Sequence, residues 1–338
     1  MMLARNISMV TMIIAWAIRT ATKECSTADS DYASTYGRDG VIWPVHVADE
    51  HTFAASFGFA GFASWYADFQ SNATRLRGRE LHMKPHLVST LLDSIVHSPI
   101  ILDAVEAVLG PDILLWSSDF AAKPAGQQPG TKPIQWHQDA PYWSLSTNES
   151  VSVYFALTAS NVANGAMQVV RGSHVLGLIS SINYDGDSMA ARLTEGFDRA
   201  KYSSPDNFFA FDSTLNEDGQ RILGADESNA EHVLLEPGEA SIHGVETLHG
   251  GGVNVSPDAR IAFVMRFISG RTRCTTPVRD SAMLMRGRSH HEYVELEPRP
   301  DADFSSASLA TLERAVVGTC SGFGDRLMKP QSGSQWSA

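Results

Sequence analysis

The sequence predicts one mainly β domain with helices packed outside it, and two contrasting patterns along the chain lead to this expectation. Between residues 87 and 116 the apolar residues recur at spacings of three and four, which is the helical period. Beyond Asp112 they form short runs punctuated by Gly, Pro, Asn and Asp, as strands and tight turns require. We therefore expect a β-sandwich or barrel-like core, preceded by a mostly helical segment, and no second domain.

The positions of the helices and strands follow from the breaks in these patterns. "YGRDGVIWPVHVADE" contains a short strand, Val41–Val47, and a helical stretch follows it. "HSP" and "LGPD" interrupt the segment 87–116, so two helices should lead into a strand. The later strands are predicted at "ILLWSSDFAAKP", "PIQWHQDAPYW", "VSVYFALTAS", "AMQVV", "EHVLLEPGEASIH" and "RIAFVMRFI".

Residues 1–30 form an N-terminal extension, which we expect to be either disordered or a targeting segment. An apolar run from Met9 to Ile18 lies between basic residues, like the central region of a signal peptide. The run is too short to span a membrane, which takes about 20 residues. The alternatives are an amphipathic opening helix and an over-long start, because Met9 itself could initiate the chain.

Residues 31–338 form the predicted domain, and one long insertion interrupts it. Residues 178–229 contain "NYDGDS", "SSPDNF" and "NEDG", which are rich in turn-forming residues. We expect a variable, partly ordered loop or lid, because long loops on a rigid scaffold often cover binding sites.

The overall composition limits the choice of partners and of compartment. A net charge of −12 without a basic stripe argues against a nucleic-acid partner. Three cysteines, far apart and odd in number, do not suggest a disulfide framework. We expect a cytoplasmic protein, with targeting or secretion as the alternative because of the apolar N-terminal run. The sequence leaves the oligomeric state open.

His137 and Asp139 in "IQWHQDAPYW" are the first candidate metal ligands. Side chains two residues apart on a strand project from the same face, so the two can converge on one point. Two histidines and one carboxylate form the facial triad of non-heme Fe(II) oxygenases. HxD alone is a weak indication in a chain with 12 histidines, and the aromatic residues around it are equally typical of a core.

The third ligand should be a histidine that is distant in sequence, and "SIHGVETLHGGGVNVSPDAR" offers His243 and His249. Six residues separate them, so strand parity alone does not choose between the two. His249 is favoured because a turn-rich stretch follows it and leads to Arg260, at the start of a β-run. Arginine binds carboxylates bidentately, so the two strands could hold a cation and a carboxylate together. His243 is then a supporting or core histidine.

"WHQDAPYW", "NGAMQVVRGSH" and "LHGGGVNVSPDAR" resemble the phytanoyl-CoA dioxygenase (PhyH) family of Fe(II)- and 2-oxoglutarate-dependent oxygenases. "DGVIWPV" and "ILDAVEAVLGPDILLW" resemble the helical lead-in of its smaller members, and the likeness covers roughly residues 36–290 in order. It implies a double-stranded β-helix core, the jelly-roll or cupin-like fold. It further implies that Fe(II) is the metal and 2-oxoglutarate the cosubstrate, with ascorbate helpful in vitro.

The same resemblance assigns individual residues. It implies His137, Asp139 and His249 as the iron ligands and catalytic residues. Arg260, eleven residues after the distal histidine, matches the position that binds the far carboxylate of 2-oxoglutarate. Two further residues are implied near the bound cosubstrate: Lys123 in "AAKPAG" and Trp143, where members carry an active-site aromatic.

This chain departs from the family pattern at Gly251, because many members have a serine two residues after the distal histidine. The carboxylate clamp should therefore rest more heavily on Arg260. Asp139 bears on the reaction type: related halogenases carry Ala or Gly there, so an aspartate favours hydroxylation, desaturation or ring closure.

The expected function is hydroxylation of a C–H bond in a small organic substrate, with release of succinate and CO₂. A catalytically silent jelly-roll protein that binds a metal or small ligand is the alternative, since fold does not determine function. A small secondary metabolite, an amino-acid derivative and a lipid-like acid all remain open as substrates.

Overall fold

The structure is a computed structural model that describes residues 32–48, 50–78, 81–126, 133–182, 213–275, 280–292 and 294–317. Its helices are α1 (Tyr32–Asp39), α2 (Glu50–Arg77), α3 (Thr90–Val96), α4 (Pro99–Leu109), α5 (Glu217–Leu223) and α6 (Ser306–Val317). Its strands are β1 (Val41–His46), β2 (Ile113–Lys123), β3 (Ile134–His137), β4 (Ser150–Ala156), β5 (Met167–Val169), β6 (Ser180–Ile182), β7 (Ser213–Leu215), β8 (Glu231–His232), β9 (Glu239–Gly244), β10 (His249–Gly251), β11 (Arg260–Ser269), β12 (Asp280–Arg286) and β13 (Val294–Leu296).

Two sheets form the core. The larger has the strand order β1-β9-β4-β11-β2-β12-β13 and the smaller the order β3-β10-β5-β8, while β6 and β7 form a separate pair. The pairs are antiparallel, apart from the parallel pair of β12 with β13. Most strands that follow one another in sequence do not pair with each other, as in a jelly roll, although β6 pairs with β7 and β12 with β13. The predicted mainly β fold with flanking helices is confirmed.

The larger sheet separates two cores because side chains alternate between its faces. Along β11, the residues Ile261, Phe263, Met265 and Phe267 pack with the helices in the main hydrophobic core. The intervening residues face the smaller sheet, where Ala262 and Val264 pack with apolar residues of β5. We call this second side the inner face. Polar residues on it lie inside the protein, between the two sheets.

The helices begin and end where the sequence predicts. Ser89 caps α3, its hydroxyl accepting a hydrogen bond from the amide of Leu92. Pro99 occupies the first turn of α4, where a missing amide proton costs nothing, and Gly110 follows the helix with a φ of +83°. The mostly helical lead-in and the strand after it are therefore confirmed.

One segment predicted from the sequence lies wholly outside the described residues, and another lies partly outside them. The N-terminal extension 1–30 lies wholly outside them, and so do residues 183–212 of the predicted lid. On either side of the latter, β6 pairs with β7, and α5 follows with Asn216 as its cap. Among the residues that the structure describes, no helix is long and apolar enough to cross a membrane. Cys274 is disulfide-bonded, although the sequence does not suggest a disulfide framework.

Replacing Phe263 by alanine tests the packing of the larger sheet against the helices. The side chain is fully buried, so Phe263→Ala should lower the free energy of unfolding by about 3–5 kcal/mol through lost transfer energy and a cavity. Chemical denaturation measures the change. Leu296→Ala, at a side chain that is 49% exposed, is the control and should change it by less than about 0.5 kcal/mol. Equal effects of the two substitutions would contradict the assignment of the core.

Candidate metal centre

The two candidate histidine ligands lie opposite each other on paired strands. In the antiparallel pair of β3 and β10, His249 is the register partner of His137, and the ring centroids are 4.2 Å apart. Strand β10 is held on its other side by β5, where His249 is opposite Val169. Backbone pairing therefore positions both imidazoles before any metal binds.

Asp139 reaches the same point, although it does not lie on a strand. Strand β3 ends at His137, and Asp139 precedes a 3₁₀ turn, Ala140–Tyr142, with helical φ and ψ of −72° and −33°. Its Oδ1 atom lies 3.8 Å from His137 Nε2 and 3.9 Å from His249 Nε2. The expectation that both residues project from one strand is thus wrong, because the strand ends at His137 and the chain turns before Asp139. Their predicted convergence is nevertheless observed.

The backbone determines which nitrogen of each histidine faces the common point. His137 Nδ1 donates to the carbonyl of Gln135 at 2.7 Å, and His249 Nδ1 donates to the carbonyl of Thr247 at 2.9 Å. A carbonyl only accepts, so each Nδ1 carries the proton and each Nε2 presents a lone pair. Such hydrogen bonds from the second nitrogen are the usual support of metal-bound histidines.

The electrostatics of the three residues favour the forms that bind a cation. Burial, reinforced by His249, lowers the pKa of His137 to about 4, so the ring is neutral near pH 7. Burial alone would raise the pKa of Asp139, but His249, His137 and Arg266 together hold it below its ordinary value. The centre therefore presents a neutral His137 imidazole and the Asp139 carboxylate at neutral pH.

These three residues form a group whose ligand atoms all lie within 4.8 Å of one another, the one such group among the described residues. Nitrogen and oxygen donors in this combination suit Fe(II), and three protein ligands leave further positions open. The donor set therefore fits the metal that the resemblance implies.

Contacts around the ligands hold them in place. Ser152 Oγ on β4 donates to Asp139 Oδ2 at 3.2 Å, leaving Oδ1 towards the histidines. The Tyr142 ring meets the His137 ring edge-on, with centroids 5.9 Å apart. His243, the alternative ligand, packs on His249 with centroids 4.7 Å apart and lies outside the group of three. Burial, with His249 next, lowers the pKa of His243 to about 3, so it is a neutral neighbour of the ligands.

Lys123 and Arg260 form a pair of buried basic side chains at the edge of the inner face. They are register partners on β2 and β11, and each donates to the carbonyl of Gly165. Lys123 also donates to the carbonyl of Gly252, three residues after His249. Burial, together with Arg260, lowers the pKa of Lys123 to about 6. Arg260 Nε is buried and has no hydrogen-bond partner in the described part of the chain.

Gly251 lies beside this pair. A Cβ added at Gly251 would be 3.3 Å from Lys123 Nζ, which is tighter than most Cβ contacts. The absence of a side chain therefore leaves the space next to His249 to the lysine ammonium group.

Trp143, the remaining candidate, and a further histidine, His174, lie elsewhere. The Trp143 ring is buried against Trp116, with ring centroids 5.5 Å apart, and the Arg266 guanidinium carbon lies 5.6 Å from the Trp143 centroid. His174 packs under α1, against Tyr36 and Gly40. Trp143 therefore contacts a second arginine of β11 and not Arg260.

A family model described as phytanoyl-CoA dioxygenase (PhyH) matches residues 56–262, more than half of the sequence. The chain belongs to the phytanoyl-CoA dioxygenase family. The match includes the three metal-centre residues and Arg260.

Two curated relatives of this PhyH chain are dioxygenases by name. A probable alpha-ketoglutarate-dependent hypophosphite dioxygenase of Stutzerimonas stutzeri is 28% identical over 172 residues, 51% of either chain. An ectoine dioxygenase of Bordetella parapertussis is 24% identical over 196 residues, covering 57% of this chain and 58% of the relative. The PhyH chain thus spans about half the length of the curated relatives it matches.

Two solved structures have a similar fold. A nickel complex of the non-heme monooxygenase ThoJ superposes with a TM-score of 0.62 at 28% identity, covering 85% of this chain and 96% of that one. CytC3 with Fe(II) and alpha-ketoglutarate superposes with a TM-score of 0.54 at 19% identity, covering 82% and 96%. The second likeness concerns the fold alone.

Sequence reasoning missed several polar residues on the inner face of this PhyH protein. Arg266 and Asp119 are buried there and form an ion pair of 2.6 Å. Strand parity could have found both, since Arg266 lies six residues after Arg260 and Asp119 four residues before Lys123. Gln138, between His137 and Asp139, was also missed. It is fully buried, and its side-chain amide donates to two carbonyls and accepts from two amides.

Ser152→Ala tests the support of the metal centre. Loss of the hydroxyl frees Asp139 Oδ2, so the affinity for divalent metal should fall about 10- to 100-fold. Anaerobic calorimetric titration with Fe(II) measures it. Ser241→Ala, a matched change on the neighbouring strand β9, should leave the affinity unchanged. An unchanged affinity in Ser152→Ala would refute the role of the hydroxyl.

Proposed function

We propose that this protein is an Fe(II)- and 2-oxoglutarate-dependent dioxygenase that hydroxylates a C–H bond of a small organic substrate. One oxygen atom of O₂ enters the substrate and the other enters succinate, while 2-oxoglutarate loses CO₂. The observation that carries the proposal is the group of three ligands, with both Nε2 lone pairs and one carboxylate oxygen directed at a common point.

His137, Asp139 and His249 would hold Fe(II), which when bound supplies the redox chemistry that couples loss of CO₂ to oxidation of the substrate. The chain supplies geometry. The carbonyls of Gln135 and Thr247 keep the imidazoles in the ligand tautomer. Ser152 orients the carboxylate, and burial keeps bulk water from the ligands.

Lys123 and Arg260 suit the far carboxylate of 2-oxoglutarate. Arg260 disfavours the protonated form of Lys123, and an anion between the two side chains would offset this effect. The buried Arg260 Nε is a donor that still needs an acceptor, and carboxylates accept from arginine in pairs. Because Gly251 leaves room for its ammonium group, Lys123 takes the place that a serine side chain holds in the family pattern.

The comparisons support this choice of cosubstrate. The curated relatives are named as dioxygenases, and one of them is named as alpha-ketoglutarate-dependent. Asp139 supports hydroxylation over halogenation because it supplies the carboxylate ligand. A catalytically silent protein would be expected to lack a ligand or the clamp, whereas both are present here.

The compartment is part of the proposal. The sequence predicts a cytoplasmic location, with targeting or secretion as the alternative.

Anaerobic addition of Fe(II) and 2-oxoglutarate tests the proposed activity. A weak visible charge-transfer band should appear with the wild-type protein, and substrate-dependent succinate release should follow when O₂ is admitted. His137→Ala and Asp139→Ala should abolish both, since each removes a ligand. His174→Ala, at a histidine packed under α1, is the matched control and should retain the band. Turnover retained in both variants would contradict the assignment of His137 and Asp139 as metal ligands.

The lowered pKa of Lys123 predicts that binding of 2-oxoglutarate is coupled to the uptake of a proton. Its pKa near 6 leaves it neutral in the free protein at pH 8, and the carboxylate of 2-oxoglutarate raises the pKa, so binding should take up a proton. Affinity for 2-oxoglutarate should therefore fall as the pH rises above about 6 and level off below it. Calorimetry in buffers of different ionisation enthalpy measures the uptake.

Lys123→Met is the variant that isolates this linkage. It should abolish the proton uptake near pH 8 and flatten the pH dependence, because Arg260 stays charged throughout this range. The same proton uptake in Lys123→Met as in the wild-type protein would refute the role of the lysine.

A further inference from the structure

The inner face carries a second buried charged pair at the other end of β11. Arg266 lies six residues from Arg260 on the same face, which separates their Cα atoms by about 20 Å along the strand. Its Nη1 atom donates to Asp119 Oδ2 at 2.6 Å. Lys123 and Arg260 lie near Gly251 and Gly252, so the two charged pairs occupy opposite ends of the inner face.

This second pair adjoins the metal centre. Arg266 is the register partner of Ser152, whose hydroxyl binds Asp139, and Ser152 is in turn the partner of His243. His243 packs on His249. The ligands therefore lie between the carboxylate clamp on one side and Arg266 with Asp119 on the other, and a molecule bound beside Arg266 would be next to the metal.

The pair has hydrogen-bonding capacity that the described residues leave unused. Arg266 Nε, Asp119 Oδ1 and His243 Nδ1 are buried and have no partner there, and each of the three residues is at least nine-tenths buried. They comprise a donor, an acceptor and a group whose role depends on its tautomer. Native proteins rarely leave such atoms unpaired, so they indicate a polar ligand or ordered water.

The surroundings restrict what fits. The Trp143 ring lies over the guanidinium of Arg266 and closes that side with an apolar wall. Arg266 and Asp119 carry opposite charges, which offset each other. A ligand with a net charge should therefore bind less strongly there than a ligand that has a hydrogen-bond acceptor next to a donor. A hydrocarbon chain would leave all three polar atoms unpaired.

We propose that Arg266 and Asp119 bind the polar end of the substrate, and that this end carries a hydrogen-bond acceptor next to a donor, as in an amino acid or an amide. This inference rests on the proposed function and selects one class from the small metabolites, amino-acid derivatives and lipid-like acids that the sequence left open. Arg266 binds the acceptor through Nε, Asp119 binds the donor through Oδ1, and Trp143 covers the guanidinium.

Two sets of probes test the substrate class on the protein loaded anaerobically with Fe(II) and 2-oxoglutarate. One set is the standard amino acids and their primary amides, and the other is fatty acids from octanoate to palmitate. Members of the first set should shift the charge-transfer band and, after O₂ is admitted, increase succinate release, whereas the fatty acids should do neither. Turnover of fatty acids, or a band that no amino acid or amide shifts, would overturn the inference.

Arg266→Lys and Asp119→Asn test the residues with little change in volume. Each should raise the KM of an active probe about 10- to 100-fold, as loss of one charged hydrogen bond does, with a smaller change in kcat. Formation of the band identifies variants whose metal centre is intact. Arg286→Lys is the matched control, since Arg286 pairs with Asp103 and Glu106 outside the inner face, and it should leave KM unchanged.

The outcomes separate the two proposals. Absence of the band in the wild-type protein overturns the proposed function and this inference with it. A band in the wild-type protein and in the variants, with unchanged KM in Arg266→Lys and Asp119→Asn, overturns the inference alone and leaves ordered water as the partner of these atoms.

Discussion

The site depends on the antiparallel register that places His249 opposite His137. A shift of one residue would turn one imidazole to the other face of the smaller sheet, because side chains alternate along a strand. The register is held from both sides, by β3 and by β5, and neither edge of β10 is free to slide. Each ring is further fixed by a hydrogen bond to a carbonyl two residues earlier in the chain. The geometry of this candidate metal centre thus depends on backbone pairing and not on the side chains alone.

The larger sheet keeps the buried charged residues on one of its faces and the apolar packing against the helices on the other. One face of β11 carries only apolar residues into the helical core, while the other carries two arginines and small apolar residues between the sheets. Burying a charge costs free energy unless the charge is paired, and the two arginines differ in their neighbours. Arg266 is paired with Asp119, and Arg260 lies beside a lysine of lowered pKa. The two ends of the inner face therefore differ, because one carries an ion pair and the other carries two basic side chains.

Much of this arrangement could be predicted from sequence, and the limits have physical causes. Short apolar runs and turn residues predicted the strands, and residue type and spacing predicted His137, Asp139, His249 and Arg260 as a group. The turn at Asp139 was missed because parity assumes that the strand continues. Arg266 and Asp119 were missed as a pair because their contact joins strands far apart in sequence.

Gln138 shows a consequence for how such a protein can change. It stands between two metal ligands, and its side chain holds Gly177, Ile179, Ser180 and Glu246 by backbone hydrogen bonds. The segment that leads into the variable insertion is therefore attached to the same short stretch that carries His137 and Asp139. Exchanging insertions between relatives should therefore preserve the metal centre only when Gly177, Ile179 and Ser180 are kept together with Gln138. A single amide side chain thus couples the start of the insertion to the stretch that carries His137 and Asp139.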